Sequence, residues 1–143
     1  MIIRFDHVGV ATGDPAAAGQ LLSDLGLVRS DTGTAEAYGV SCDFWSPGAD
    51  AGGAAVELVA PLCSTAAVQG HLDRHGPGLY HVAFEVDDVQ AELGRLRTAG
   101  FVPVDTEPKA GARPGMRVAF VYAKRPAGLL VELVQYDRTE RPA

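Results

Sequence analysis

Hydrophobic and polar positions alternate from the first residues of the chain. Ile3, Phe5, His7 and Gly9 interleave with Arg4, Asp6, Val8 and Val10. A period of two is that of a β-strand, whose successive side chains face opposite ways. "DPAAAGQLLSDLG" then reads as a helix, with Asp14 as N-cap, Pro15 in the first turn and Gly26 at the stop. Three strands are predicted after it, at 27–30, 38–45 and 54–59. The same order of signals returns later. Leu79, His81, Ala83 and Glu85 alternate with Tyr80, Val82, Phe84 and Val86. "DDVQAELGRLRTAG" is predicted as a helix capped by Asp87 or Asp88 and stopped by Gly100, with Val89, Leu93 and Leu96 as its apolar stripe. Strands at 101–104, 117–122 and 129–134 complete the second set. Glycine- and proline-rich stretches, "SPGADAGG" and "KAGARPG", separate strands within each set. Between the sets, "CSTAAVQGHLDRHGPG" predicts a short helix capped by Ser64 and running to about His75.

The two sets are copies. Placing His7 over His81, an offset of 74, puts "HVGVATGD" over "HVAFEVDD", Asp14 over Asp88, Leu22 over Leu96 and Gly26 over Gly100. The phrase "VELV" occurs at Val56 to Val59 and again at Val131 to Val134, so Glu57 and Glu132 are 75 apart and one insertion restores register. This is an internal duplication of a βαβββ unit. The expected fold class is α+β: two tandem βαβββ modules forming a curved, mostly antiparallel sheet with a cleft. One domain spans 1–143, with module 1 at about 1–62, a linker helix at about 63–76 and module 2 at about 77–136.

Alternation puts Val56 and Leu58 on one face of their strand and Glu57 on the other, and the same holds around Glu132. If both modules curve the same way, His7, Glu57, His81 and Glu132 converge from four strands into one cleft. Two imidazoles and two carboxylates suit a borderline divalent cation such as zinc, cobalt, nickel, manganese or iron(II). A lone strand histidine is more often a hydrogen-bonded structural residue, and a solvated face would explain the glutamates without a metal. The matching of both residue types in both copies favours the metal, because an unpaired carboxylate in an apolar strand is costly. His71 and His75, four apart in the linker, could form a second pair but read as surface residues. Phe44 and Trp45 read as core.

Bulk properties narrow the partners. A net charge of −6 and a pI of about 5.1 argue against a nucleic-acid binder. No apolar run reaches the roughly 18 residues of a membrane span, and "MIIRFDHVGV" reads as a strand and not as a signal peptide. Cys42 and Cys63 lack metal-type spacing and read as reduced thiols of a cytoplasmic protein.

Five phrases carry a resemblance: "FDHVGVAT" at the start, "VELVAPL" at 56–62, "GPGLYHVAFEVDDV" at 76–89, "EPKAGA" at 107–112 and "GLLVELVQ" at 128–135. The chain resembles the vicinal oxygen chelate superfamily, and within it the methylmalonyl-CoA epimerases, along nearly its whole length. The resemblance implies paired βαβββ modules, a homodimer and a divalent metal (cobalt, zinc, manganese or nickel) on His7, His81 and Glu132, with Glu57 at a fourth position. It implies proton transfer alpha to a carbonyl through an enolate, with Glu132 or Glu57 as one base and Glu36 as the other. The chain departs from the family pattern twice. Epimerases carry a glutamate two residues before a Gly-Val pair, where this chain has Ala37, with Glu36 one position earlier; a one-residue bulge would restore it. The family's "HPK" is "YAK" here, at 122–124. A CoA substrate brings phosphates, and Lys109, Arg113, Arg117 and Lys124 are the candidates to hold them, with a solvated hairpin as the alternative. The same superfamily implies other small-molecule chemistries: an isomerase or epimerase of a 2-hydroxyketone or a secondary metabolite, a glyoxalase I-like enzyme of a hemithioacetal, an iron(II) dioxygenase, or a non-catalytic drug-binding resistance protein.

Overall fold

The caps set where the helices begin. The structure, a computed structural model, describes residues 1–48 and 54–137. Asp14 accepts a hydrogen bond from the Ala17 amide at 3.1 Å and Asp88 one from Ala91 at 3.0 Å, so both predicted N-caps hold. In module 1 the order is β1 (Ile2–Ala11), α1 (Pro15–Asp24), β2 (Val28–Ala35), β3 (Val40–Ser46) and β4 (Ala55–Pro61), with a single 3-10 turn, Glu36–Tyr38, before β3. The linker helix is α2 (Ala67–His75). Module 2 is β5 (Gly78–Val86), α3 (Val89–Thr98), β6 (Val102–Pro103), β7 (Lys109–Ala110), β8 (Met116–Ala123) and β9 (Leu129–Tyr136).

Two expectations need correction. Ser64 does not cap α2: the helix starts at Ala67, Ala66 holds the N-cap position and no side chain caps it. Ala66 and Val68 are buried against the inner face of the sheet, and this packing sets the start of the helix. β2 runs to Ala35, well past the predicted 27–30. Its "SDTGTA" has no apolar alternation because it is an edge strand, held by backbone pairing to β3 from Val28↔Ser46 to Ala35↔Val40.

The strands form one sheet in the order β2-β3-β4-β1-β5-β9-β8-β6, with β7 on β8. β4 runs parallel to β1, β9 runs parallel to β5, and the other neighbours are antiparallel. The modules join where β1 meets β5, in a register that pairs His7 with Ala83 and Gly9 with His81. At the 74-residue offset each of these pairs is the other with its partners exchanged, so the seam has local twofold symmetry.

Each face of the sheet has its own core. On the outer face of module 2, Val89, Leu93 and Leu96 of α3 pack on Ala119, Val121, Val131 and Leu133. On the inner face, Val40, Cys42, Phe44, Val59, Ala83, Met116, Val118 and Val134 form one apolar surface across both modules. The sheet curls so far that its two ends meet. A Cβ built on Gly33 of β2 would lie 2.2 Å from the Ala112 carbonyl oxygen, a close approach that only glycine permits.

Leu93 is fully buried under α3 and away from the inner face. Leu93→Ala should cost about 2–5 kcal/mol in urea unfolding and leave metal affinity unchanged. A loss below about 1 kcal/mol would mean that α3 repacks and does not anchor module 2.

Candidate metal centre

Four neighbouring strands in the middle of the sheet, β4, β1, β5 and β9, each contribute one side chain. Sheet register arranges these in two rows. Glu57 and His81 flank Gly9 in one row, and His7 and Glu132 flank Ala83 in the other. The middle residue of each row is small, which leaves room for the imidazoles to lean together. The fit is tightest at Gly9, where an added Cβ would lie 2.2 Å from His81 Cε1. Gly9 and Ala83 each stand two residues after a histidine, in "HVG" and "HVA", a spacing that marks both positions in the sequence.

The four side chains are buried and converge. The Nε2 atoms of His7 and His81 stand 3.2 Å apart. Glu57 Oε1 lies 3.5 Å from His7 Nε2 and 3.3 Å from His81 Nε2. Glu132 Oε1 lies 3.3 Å from His7 Nε2, and its Oε2 lies 3.5 Å from His81 Nε2. His7, His81 and Glu132 offer ligand atoms that all fall within 4.8 Å of one another. Burial rules out the solvated face as an explanation for the glutamates. The donor set fits a divalent cation: two imidazole nitrogens face each other, and buried Glu132 Oε1 has no hydrogen-bond partner among the described residues.

Electrostatics inside the cluster is divided. Burial opposes a charged His7, but Glu132, the hydrogen bond to Asp6 and Glu57 outweigh it and push the imidazole up to about 10. Burial also opposes an ionised Glu57, yet the hydrogen bonds and charges of His7 and His81 hold its carboxyl well below the usual range. Glu132 goes the other way: burial dominates the pull of the two imidazoles and, with Glu57 nearby, raises it to about 7.

Behind His7 stands a network that strand alternation conceals. The register slips between Phe5 and His7, leaving Asp6 in a bulge with its side chain turned inward beside its neighbour. Asp6 Oδ2 lies 2.7 Å from His7 Nδ1, so the ring donates there and directs Nε2 to the centre. The Tyr136 hydroxyl donates to the same oxygen at 2.9 Å, and Arg113 Nη1 donates to Tyr136 at 2.7 Å. Arg113 also reaches Asp31 of β2 at 3.2 Å and lies 3.8 Å over the Phe44 ring. In module 2 the corresponding slip leaves Tyr80 in the bulge, and His81 Nδ1 has no hydrogen-bond partner among the described residues.

The centre opens into an apolar cavity of ≈ 80 Å³ lined by Tyr38, Val40, Cys42, Met116, Val118 and Phe120 as well as by Glu57, His81 and Glu132. Glu36 is not among its lining residues. It is exposed on the 3-10 turn, which ends on left-handed Gly39 (φ 65°), and it is Tyr38 that lines the cavity. The four basic residues do not converge. Lys109 pairs with Asp105 at 3.4 Å, Arg113 belongs to the network behind His7, Arg117 is exposed beside a groove lined by Glu85 and Asp137, and Lys124 is exposed in the turn after β8. His71 and His75 stack on each other along α2, with ring centroids 4.9 Å apart. Phe44 is core, edge-on to His7, and Trp45 packs against Gly19 of α1.

Gly9→Ala should drive the His81 ring out of place and lower cobalt affinity at least about tenfold in competition with a chelator; unchanged affinity would show that the ring has another seat. His7 Nε2 holds a proton across the neutral range, because the imidazole is pushed up to about 10, and a cation must displace it. Cobalt affinity should therefore rise with pH by up to about tenfold per unit from this proton, and level off above the His7 value. Calorimetry in buffers of different ionisation enthalpy reads the released proton directly.

Comparison with known proteins places this geometry in a family. Residues 6–120 match the Glyoxalase/Bleomycin resistance protein/Dioxygenase superfamily. An ethylmalonyl-CoA/methylmalonyl-CoA epimerase of Cereibacter sphaeroides is 34% identical over 94% of this chain and 99% of its own. A structure of Streptomyces coelicolor methylmalonyl-CoA epimerase, a variant in complex with 2-nitronate-propionyl-CoA, superposes with a TM-score of 0.85 at 30% identity, over 99% of this chain and 100% of that one. Methylmalonyl-CoA epimerase from Mycobacterium tuberculosis gives a TM-score of 0.85 at 28% identity, over 96% and 91%. With a match over most of its length, and with two related halves meeting at one buried His/Glu cluster, this chain belongs to the Glyoxalase/Bleomycin resistance protein/Dioxygenase superfamily.

Proposed function

We propose that the chain is a divalent-metal-dependent epimerase of acyl-CoA thioesters, acting on methylmalonyl-CoA. The observation that carries this reading is the buried His7, His81, Glu57 and Glu132 cluster at the end of a small apolar cavity. The relatives support the substrate: they are named as epimerases of methylmalonyl-CoA, and one is in complex with an acyl-CoA analogue.

His7, His81 and Glu132 would hold the cation, with Glu57 as a fourth ligand. A bound divalent cation supplies Lewis-acid stabilisation of the negative charge that develops on a carbonyl oxygen when an adjacent carbon loses its proton. The chain supplies the rest. Once the Nε2 proton has left, the Asp6 hydrogen bond keeps the remaining proton of His7 on Nδ1 and so presents Nε2 to the cation. Val40, Val118, Met116 and Phe120 exclude water from the reacting carbon, which protects a reactive carbanion-like species from side reactions. Burial pushes the Cys42 thiol up, so it stays neutral in the cavity wall. Glu132 lines the cavity, and its carboxylate is the group that would take and return the proton on one face of the carbon.

The test is deuterium incorporation at C2 of methylmalonyl-CoA in D2O. Cobalt-loaded protein should exchange rapidly and EDTA-treated protein should not. Glu132→Gln should lower turnover by about 10²-fold or more. Tight cobalt binding without exchange would keep the centre and remove this substrate.

A further inference from the structure

Inverting a stereocentre through a planar enolate requires a proton-handling group on each of its faces. The metal cluster accounts for one. On the proposed epimerase reading, the second has to come from elsewhere in the cavity wall, and Glu36 is exposed outside that wall. The cavity is otherwise apolar, which leaves few candidates. His81, Glu57 and Glu132 belong to the centre, and the Cys42 thiol is held neutral by burial. Tyr80 sits in the bulge beside His81, and its ring packs on His71 and His81.

Tyr38 differs from these. It lines the cavity, and its hydroxyl donates a 2.7 Å hydrogen bond to Oδ2 of Asp105, a carboxylate only 4% exposed. Asp105 is fixed in turn by the Phe120 amide, which donates to Oδ2 at 2.8 Å, and by Lys109 Nζ, 3.4 Å from Oδ1. Lys109 also lies 5.5 Å above the Tyr38 ring. The Phe120 ring stands edge-on to both Tyr38 and His81, each at 5.3 Å, so a single ring separates the phenol from the centre. Burial and the Asp105 bond raise the phenol above its ordinary range, so at rest it carries its proton as a donor.

We infer that Tyr38 and Asp105 form the second proton-handling pair of this epimerase, Tyr38 facing the reacting carbon and Asp105 exchanging protons behind it. In one direction a carboxylate of the metal cluster takes the alpha proton and the C–H electron pair moves onto the carbonyl oxygen. Tyr38 Oη then gives its proton to the opposite face of the carbon, and the phenol oxygen recovers a proton through Asp105, which has first taken one from solvent. In the other direction Tyr38 Oη accepts the alpha proton as its own passes to Asp105 Oδ2, and the protonated cluster carboxylate delivers to the carbon. The two carboxyls then return to their starting states by exchange with solvent.

The test uses cobalt-loaded full-length protein and each pure epimer of methylmalonyl-CoA in D2O, following inversion and exchange separately. Tyr38→Phe keeps the ring against Phe120. It should lower inversion at least about 10²-fold, while one epimer still exchanges its alpha proton within about threefold of wild type and the other does not. Asp105→Asn should give the same one-sided pattern. The cobalt absorption spectrum of both variants should match wild type, which a role in building the centre would not allow. Inversion by Tyr38→Phe within about threefold of wild type would overturn the assignment, and so would equal loss of exchange from both epimers. Wild-type protein that binds cobalt and exchanges neither epimer would instead overturn the epimerase reading, and this pair with it.

Discussion

The structure depends on one constraint: four strands must bring two imidazoles and two carboxylates to a single buried point. Buried charge is tolerated only where it is paired or coordinated. The sheet meets this by placing a residue of minimal size at the middle of each row, Gly9 between Glu57 and His81, and Ala83 between His7 and Glu132. The curvature of the sheet and the packing of helices on its outer face serve the same end, because a flat sheet would point these side chains in parallel and never let them meet.

The two halves are alike at the centre and unlike just outside it. In module 1 the bulged residue is Asp6, which orients His7 and continues through Tyr136 and Arg113 to Asp31. In module 2 the bulged residue is Tyr80, whose ring lines the cavity. One half thus supplies rigidity and the other supplies wall. Arg113 shows how this divergence redirects a residue: a guanidinium that charge counting offers to a phosphate is committed to a partly buried network and stacked on Phe44.

Much of this was legible in the sequence. The repeat, the α+β class and the convergence of His7, His81, Glu57 and Glu132 followed from period-two alternation and a 74-residue offset, and the caps at Asp14 and at Asp87 or Asp88 from the aspartates that precede each helix. What stayed hidden depends on departures from that period. The bulge at Asp6 turns inward a residue that strict alternation assigns to the opposite face, and nothing in "FDHV" marks the slip. The 3-10 turn at 36–38 likewise decides that Tyr38 and not Glu36 lines the cavity, a rotation set by the left-handed Gly39 and not by any hydrophobic pattern. Asp105 lies in an irregular stretch after β6, where periodicity carries no information.

The rows at the seam are mixed. Each joins a residue of one half to a residue of the other: Glu57 with His81, and His7 with Glu132. The centre therefore has the geometry of a subunit interface folded into one chain. A single half holds one histidine and one glutamate in different rows and completes neither. Two identical halves related by a twofold axis would complete both, with every ligand present in duplicate. Fusing them gave each ligand its own codon, and with that the freedom for an aspartate to stand beside one histidine and a tyrosine beside the other.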